Sequence, residues 1–104
     1  MLPLNINQAK QGRHVEGSTY YVPGRSILIA CPEMLVSLYA RRSELVYDIA
    51  GNWSGKERFV HTETIGVYKS FDGKVVAPTN VGIIHYSQTD GVHIVPARPQ
   101  NLRR

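Results

Sequence analysis

The second half of this chain carries four short runs of β-branched and aromatic residues, and this pattern constrains the fold more than any other. The runs cover residues 59–68, 74–77, 82–87 and 92–95. They are separated by the turn sequences FDGK, APTN and QTDG, two of which contain the Asp-Gly dipeptide that short hairpin loops favour. The sequence therefore predicts an antiparallel β-meander with at least two hairpins.

The first half of the chain predicts helices. Residues 32–40 have the pattern of a helix, because Pro32 suits the first helical position and Glu33 favours the positive end of the helix dipole. The face expected in the core carries Met34, Leu35, Leu38 and Tyr39. Residues 6–11 allow a second short helix, and for SELVYDIA, residues 43–50, we favour a break and a short strand over a longer helix. Together the two halves predict an α+β fold, with one or two N-terminal helices packed on a roughly four-stranded antiparallel sheet.

Length and charge limit the possible classes further. The chain has 104 residues, which suits one modest domain over residues 1–104, with a frayed basic tail from about residue 99. Twelve Lys and Arg against eight Asp and Glu give a net charge of +4, which favours an anionic partner such as nucleic acid or an acidic protein. Neither a membrane span nor a secretory signal is predicted, because the longest apolar stretch ends at Pro32 and the N-terminus lacks a continuous apolar region.

Motif absences remove several kinds of chemistry. The single cysteine, Cys31, allows no internal disulfide, and the four histidines are far apart in the sequence without an HExxH or CxxC pattern. The chain also lacks GxGxxG, GxxxxGK[ST] and GxSxG. We therefore predict neither a metal nor a cofactor, and what remains is chemistry by acids, bases and cations.

Two segments could carry such chemistry. In GIIHYSQ, His85 and Ser87 share one face of the predicted strand, and His93 follows across the next turn, so two imidazoles could serve as general acid and base. The alternative is that they are ordinary hydrogen-bonded strand residues. In GNWSGKERF, residues 56–58 are expected to be a solvated loop after a Gly-rich turn. Alternatively, Lys56 and Arg58 could stabilise a phosphorane, and Glu57 could act as a base or orient one.

Five pieces of the chain, taken in order, resemble the polymorphic toxin type-fifty domain, a toxin module at the C-termini of bacterial polymorphic toxins and phage head-morphogenesis proteins. The pieces are GRHVEGSTYYVPGRSIL, GNWSGKERFV, TETIGVY, PTNVGIIHYS and GVHIVPARP, and they span roughly residues 5–99. The most specific piece is IHYSQTDGVHIVPARP. The resemblance implies a ribonuclease with the metal-independent fold of barnase, EndoU, the colicin E5 and D nuclease domains and RelE.

The resemblance also implies a set of site residues. The family's polar positions fall on His14, Arg25, Ser26, Lys56, Glu57, Thr79, His85, Tyr86, Ser87 and His93. The implied reaction is attack of a ribose 2′-hydroxyl on its own phosphate, giving a 2′,3′-cyclic phosphate. His14 or Glu57 would be the base and His85 the acid, although exchanging the two histidines fits equally well. The phosphate and charge-stabilising residues would be Arg25, Lys56, Thr79, Tyr86, Ser87 and His93.

The chain departs from the family pattern at two places. Arg13 stands where a lysine is expected, and the extra pair Thr89 and Asp90 lengthens a turn that could shift His93 relative to His85. Neither change removes a titratable group from the implied site.

The resemblance finally implies partners and a location. RNA is the expected substrate, with transfer, ribosomal and messenger RNA left open, and an acidic immunity protein is the expected inhibitor. A larger toxin or phage protein would carry the domain into the cytoplasm of a target cell. The main alternative is a non-catalytic nucleic-acid-binding module of a phage structural protein, which predicts salt-dependent binding without cleavage. A DNase or a nucleotide-dependent transferase ranks third, because its motifs are absent.

Overall fold

The computed structural model describes residues 2–102, which form two helices and seven strands. The helices are α1 (Gln8–Gly12) and α2 (Pro32–Tyr39). The strands are β1 (Ile27–Leu28), β2 (Glu44–Tyr47), β3 (Trp53–Val60), β4 (Gly66–Lys69), β5 (Val76–Thr79), β6 (Val81–Tyr86) and β7 (Val92–Pro96). The predicted α+β class is confirmed, and so is the short strand in SELVYDIA. No helix in this part of the chain is long and apolar enough to cross a membrane.

The strands form two antiparallel sheets, whereas the sequence predicted a single sheet of about four strands. The larger sheet has the order β2-β3-β6-β7, and the smaller has the order β1-β4-β5. The run predicted as one strand at residues 59–68 is divided between them, because β3 ends at Val60 and β4 begins at Gly66. Between these strands, residues 62–64 are polar and exposed, so they offer no side chain that would hold the chain against a core.

Both predicted Asp-Gly hairpins are present. FDGK joins β4 to β5, and Asp72 Oδ1 accepts a hydrogen bond from the Lys74 amide at 3.0 Å. QTDG joins β6 to β7, where Gly91 has a φ of 88°. The APTN segment is not a turn, since most of it lies in β5 and pairs with β4. Pro78 is tolerated there because β5 is the edge of its sheet, and a proline on an edge strand removes no inner hydrogen bond.

Helix α2 covers one face of the larger sheet. Its buried residues are Leu35 and Val36, and the Tyr39 ring stacks on Phe59 with 4.6 Å between ring centroids. The predicted core face was partly wrong, because Met34 and Leu38 are 38% and 45% exposed. The helix has only two turns, and the residues that it buries or packs against the core are Leu35, Val36 and Tyr39, so Met34 and Leu38 are left towards solvent. The core comprises Leu28, Leu35, Val36, Ala40, Phe59, Ile65, Ile84, Val92 and Ile94.

The register of the larger sheet gives it two chemically different faces. On the core face, Glu57 pairs with Ile84 and Ile84 with Ile94. On the opposite face, which we call the open face, Lys56 pairs with His85 and His85 with His93. Residues 56–58 therefore lie inside β3, and the prediction of a solvated loop is wrong because β2 and β6 pair with this segment on both sides.

The outer edge of β7 is covered by the N-terminal segment. The Gln11 side chain acts like a further strand, because its Nε2 donates to the Ile94 carbonyl at 2.9 Å and its Oε1 accepts from the Ile94 amide at 2.7 Å. At the other end of the chain, Pro99 is buried and its carbonyl accepts from the Leu102 amide at 3.1 Å. Residues 103 and 104 of the predicted frayed tail lie outside the described range.

Candidate active site

Three of the four histidines lie side by side, and we call them the histidine row: His85 and His93 are on the open face, and His14, only 5% exposed, lies beside them. The rings of His85 and His93 are stacked with centroids 4.6 Å apart, as expected for directly paired residues on adjacent antiparallel strands. The ring of His14 lies beyond His93, with centroids 6.3 Å apart and an interplanar angle of 11°. His93 is therefore in the middle, and the longer QTDG turn does not displace it from His85.

His14 reaches the row because α1 is held at the edge of β7. Its amide donates to the Gln11 carbonyl at 3.0 Å, so the residue follows directly from the segment fixed on Ile94. Its Nδ1 lies 2.9 Å from the Ser26 carbonyl. A carbonyl can only accept, so Nδ1 carries the proton of this hydrogen bond. In the neutral ring Nε2 is then the unprotonated nitrogen.

Cations lie at both ends of the row. Lys56 is the cross-strand partner of His85, and Arg25 precedes the residue that binds His14. A cleft of about 440 Å³ continues from His14 past Arg25 to Lys69. Within residues 2–102, the single ion pair joins Arg58 and Glu44, so these cations have no carboxylate partner there. Sequence reasoning missed Lys69, which the pairing of β1 with β4 brings next to Ser26; only that pairing could have indicated it.

The surroundings of the row disfavour the protonated rings. Burial, followed by the positive charge of Lys56, lowers the pKa of His85 from 6.5 to about 4. Burial, followed by the neighbouring His85, lowers the pKa of His93 to about 3. The pKa of His14 is also lowered, mainly by burial, although its hydrogen bond to Ser26 opposes the shift. All three imidazoles are thus neutral at pH 7 in the free protein.

Glu57 and Tyr86 lie on the other side of the sheet and are not brought together with the row. Glu57 is only 3% exposed, and its Oε1 accepts hydrogen bonds from the Tyr86 hydroxyl and, at 2.9 Å, from the Arg41 amide. Burial and the bond to Glu57 raise the pKa of Tyr86 to about 12, so its hydroxyl stays a donor. Both residues line a groove of about 410 Å³ together with Trp53.

Two further residues of the implied site form hydrogen bonds to the backbone. Thr79 is buried, and its Oγ1 donates to the Ala97 carbonyl at 2.7 Å while accepting from the Val81 amide at 3.1 Å. The Ser87 Oγ accepts from the amides of Thr89 and Asp90, at 3.3 and 3.1 Å, at the start of the β6–β7 turn. In these positions Thr79 fixes the link from β5 to β6, and the serine shapes the turn that brings His93 to His85.

Within the described range, no group of three or more His, Cys, Asp or Glu side chains has the geometry of a metal site. The open face is thus a surface of neutral imidazoles flanked by cations. Such a surface can accept protons and bind anions.

Comparison with known protein families assigns the chain to a class of bacterial toxin domains. The family model described as bacterial toxin 50 matches residues 6–96, which include the whole histidine row and both helices. The chain belongs to the bacterial toxin 50 family. No curated protein matches it. The resemblance inferred from the sequence is thereby confirmed.

Proposed function

We propose that this toxin domain is a metal-independent endoribonuclease whose proton transfers are made by the histidine row. The observation that carries the proposal is the placement of three neutral imidazoles side by side between cations along the open face. Cleavage at a ribose needs a base, an acid and positive charge near the phosphate, and these are the groups that the face offers. The metal-independent nuclease fold suggested by the resemblance is part of this proposal.

In the proposed reaction the ribose 2′-oxygen attacks the adjacent phosphorus. A bond forms between phosphorus and the 2′-oxygen, and the bond from phosphorus to the 5′-oxygen breaks, which leaves a 2′,3′-cyclic phosphate. His14 takes the 2′-hydroxyl proton through its unprotonated Nε2, and His85 gives a proton to the leaving 5′-oxygen. His93 lies between them and contacts the phosphate, so base and acid are on opposite sides of the reacting phosphorus.

Substrate binding supplies the protonated acid. The lowered pKa of His85 leaves it neutral in the free protein, but a bound phosphate brings negative charge next to the ring and favours the imidazolium. Lys56 and Arg25 hold the extra negative charge of the phosphorane. Glu57, the alternative base from the sequence, is assigned no part in this step, because its carboxylate bonds to Tyr86 on the core face.

The test is cleavage of RNA by the purified domain in the presence of EDTA. We expect new ends with 2′,3′-cyclic phosphate at defined sites, and none when the mapped nucleotide carries a 2′-deoxyribose. His14→Gln and His85→Gln should each lower the rate by at least about a hundredfold. The matched control is His61→Gln, because this histidine contacts Tyr39, not the row, and its loss should leave cleavage unchanged.

Two results would refute the nuclease. One is intact RNA throughout a pH series, and the other is equal cleavage by His85→Gln and the wild-type domain. Salt-dependent RNA binding without cleavage would instead support the nucleic-acid-binding module. Cleavage of DNA at matched sites would also count against the 2′-hydroxyl mechanism.

Restraint and delivery are part of the same proposal. A cell that makes such a toxin needs an immunity protein, and we propose one with acidic residues that covers Lys56, Arg25 and the row. A larger toxin or phage protein would carry the domain to the RNA of a target cell. Co-expression of neighbouring gene products should identify one that blocks toxicity, and its affinity should fall with Lys56→Ala. If inhibition stays equally tight after Lys56→Ala and at high salt, the immunity protein does not bind the surface formed by Lys56, Arg25 and the row.

A further inference from the structure

A second concave surface lies on the core face, at the end of the sheet where β3 begins and β6 ends. This groove of about 410 Å³ is lined by Leu2, Arg41, Leu45, Tyr47, Trp53, Glu57 and Tyr86. Its volume lies within the range of small-ligand sites, about 300–1,000 Å³. Its walls are mainly aromatic and aliphatic, and a single carboxylate lies at its base. The proton-transfer chemistry proposed for the open face uses none of these side chains.

The Glu57 carboxylate is the polar group of this groove that has an oxygen available to a ligand. The two donors to Glu57 bind the same oxygen, Oε1, and no residue of the described 2–102 range hydrogen-bonds to Oε2. No cationic side chain in that range pairs with this carboxylate, because the Arg41 guanidinium donates instead to the Leu2 carbonyl at 2.6 Å. Among the described residues, no buried side-chain oxygen lacks a hydrogen-bond partner, so Oε2 contacts solvent and can accept a hydrogen bond from a ligand in the groove.

The backbone next to Glu57 is strained in a way that serves this carboxylate. Arg41 has a φ of 68°, the only positive value at a non-glycine residue in the described range. This conformation directs its amide at both Glu57 Oε1 and the Tyr86 hydroxyl, at 2.9 Å each. Strain of this kind, about 1–3 kcal/mol, persists where the surrounding structure enforces it, often at ligand sites. The amide fixes Oε1 and makes no hydrogen bond to Oε2.

The aromatic walls select flat ligands. The Trp53 indole is held in place because its Nε1 donates to the Lys56 carbonyl at 2.8 Å, and its ring lies 5.6 Å from that of Tyr86. Fixed aromatic rings beside a hydrogen-bond acceptor are suited to a nucleobase, which stacks through its faces and donates through its edge. A base with an exocyclic amino group provides the donor that Oε2 lacks.

Residues that line the groove are sequence neighbours of residues at the proposed RNA-cleavage site. Lys56 and Glu57 are neighbours on β3, and His85 and Tyr86 are neighbours on β6, so the two surfaces are opposite faces of the same strands. A single RNA strand that occupies both surfaces has to bend around this end of the sheet. Trp53, the first residue of β3, stands at the place where the strand would cross.

We infer that this groove binds one unpaired, amino-bearing base of the RNA substrate, stacked against Trp53 and donating its amino group to Glu57 Oε2. This inference rests on the proposed function for the identity of the polymer. It adds a base-recognition site on the face opposite the chemistry. The site would set which sequences are cut, while the histidine row performs the cut.

Free nucleosides test the groove without any cleavage, since they carry no phosphate. Trp53 is the single tryptophan of the chain, so quenching of its fluorescence reports on this groove. We expect saturable quenching by at least one of guanosine, adenosine and cytidine, and binding at least about fivefold weaker for uridine, which has no amino group. Glu57→Gln replaces an acceptor with a donor and should abolish that preference, whereas Glu63→Gln, at an exposed loop position, should retain it.

The outcomes separate this inference from the nuclease. Selective binding of amino-bearing nucleosides without RNA cleavage would support the groove and refute the nuclease. Cleavage with the same sequence preference in wild type and Glu57→Gln, and no nucleoside quenching, would overturn the groove and leave the nuclease standing. Quenching by N-acetyl-lysinamide but by no nucleoside would also overturn it, since the occupant would then be a cationic side chain of a protein partner.

Discussion

Acidification should destabilise the domain through its histidine row, and the size of the effect follows from the pKa shifts. In the unfolded chain His85 and His93 titrate near 6.5, whereas in the folded protein their pKa values are about 4 and about 3. The unfolded state therefore binds more protons than the folded state below about pH 6.5. The contribution of the two histidines to stability is therefore fully present above about pH 6.5. It is lost as the pH falls from 6.5 towards their pKa values in the folded protein.

At about pH 5.5, one unit below the unfolded pKa, each of these histidines costs about 1.4 kcal/mol of unfolding free energy. For the pair this is about 3 kcal/mol, or about 1.5 kcal/mol after allowance for screening by solvent at the partly exposed rings. A loss of this size matters to a small domain, whose total stability is typically about 5–15 kcal/mol.

The assay is urea unfolding, followed by Trp53 fluorescence, at a series of pH values in buffers without phosphate. Wild type should lose about 1.5 kcal/mol more than the double variant His85→Gln/His93→Gln between about pH 7.5 and 5.5. Both proteins contain the same carboxylates, so the contribution of these groups to the pH dependence of stability cancels in the comparison. If the two stability curves run parallel over this range, the row does not hold its rings neutral, and the argument for a neutral base in the free protein is refuted.

Three further outcomes follow from the contacts. Gln11→Ala should destabilise the fold by about 1–3 kcal/mol in chemical unfolding, because the amide and carbonyl of Ile94 both lose their partner at the edge of β7. Gly82→Ala should cost about 1–3 kcal/mol, because a Cβ there would overlap the ring of Phe59; unchanged thermal stability would contradict this packing. In RNA cleavage, kcat/KM should be highest below about pH 6.5, while kcat should peak at higher pH because the bound phosphate raises the pKa of the acid.

Much of the fold could be predicted because its signals are local. The two Asp-Gly turns, the helix beginning at Pro32 and the short strand in SELVYDIA each depend on a few adjacent residues. The division into two sheets could not be predicted this way, because β1 has two residues and exists only through its pairing with β4. The charged segment at residues 56–58 was assigned to a loop for a related reason. Its extended form depends on β2 and β6, which supply partners on both sides.

Only the part of the candidate site that lies within one hairpin could be predicted from local sequence patterns. The strand period and the turn placed His85 near His93, because both are properties of one hairpin. The approach of His14 depends instead on Gln11 and the edge of β7, more than eighty residues away in the chain. The strand pattern therefore indicated two members of the row, and His14 was added to the site only by the family resemblance. Lys69 was missed for the same reason, since it is placed by a strand pair of the smaller sheet.

The alternation of side chains along β3 and β6 changes how motif residues of this family should be interpreted. Lys56 and Glu57 are adjacent in the sequence, as are His85 and Tyr86, and adjacency suggests a single site. In a strand, however, neighbours point to opposite faces, so each pair contributes one residue to the open face and one to the core face. Substitutions at the open-face members should change the rate of cleavage at every site. Substitutions at the core-face members should change which sites are cut, because a base held there selects the sequence without taking part in proton transfer. If both proposals hold, a family motif that spans both faces combines a requirement for chemistry with one for recognition, and a loss of toxicity alone does not distinguish them.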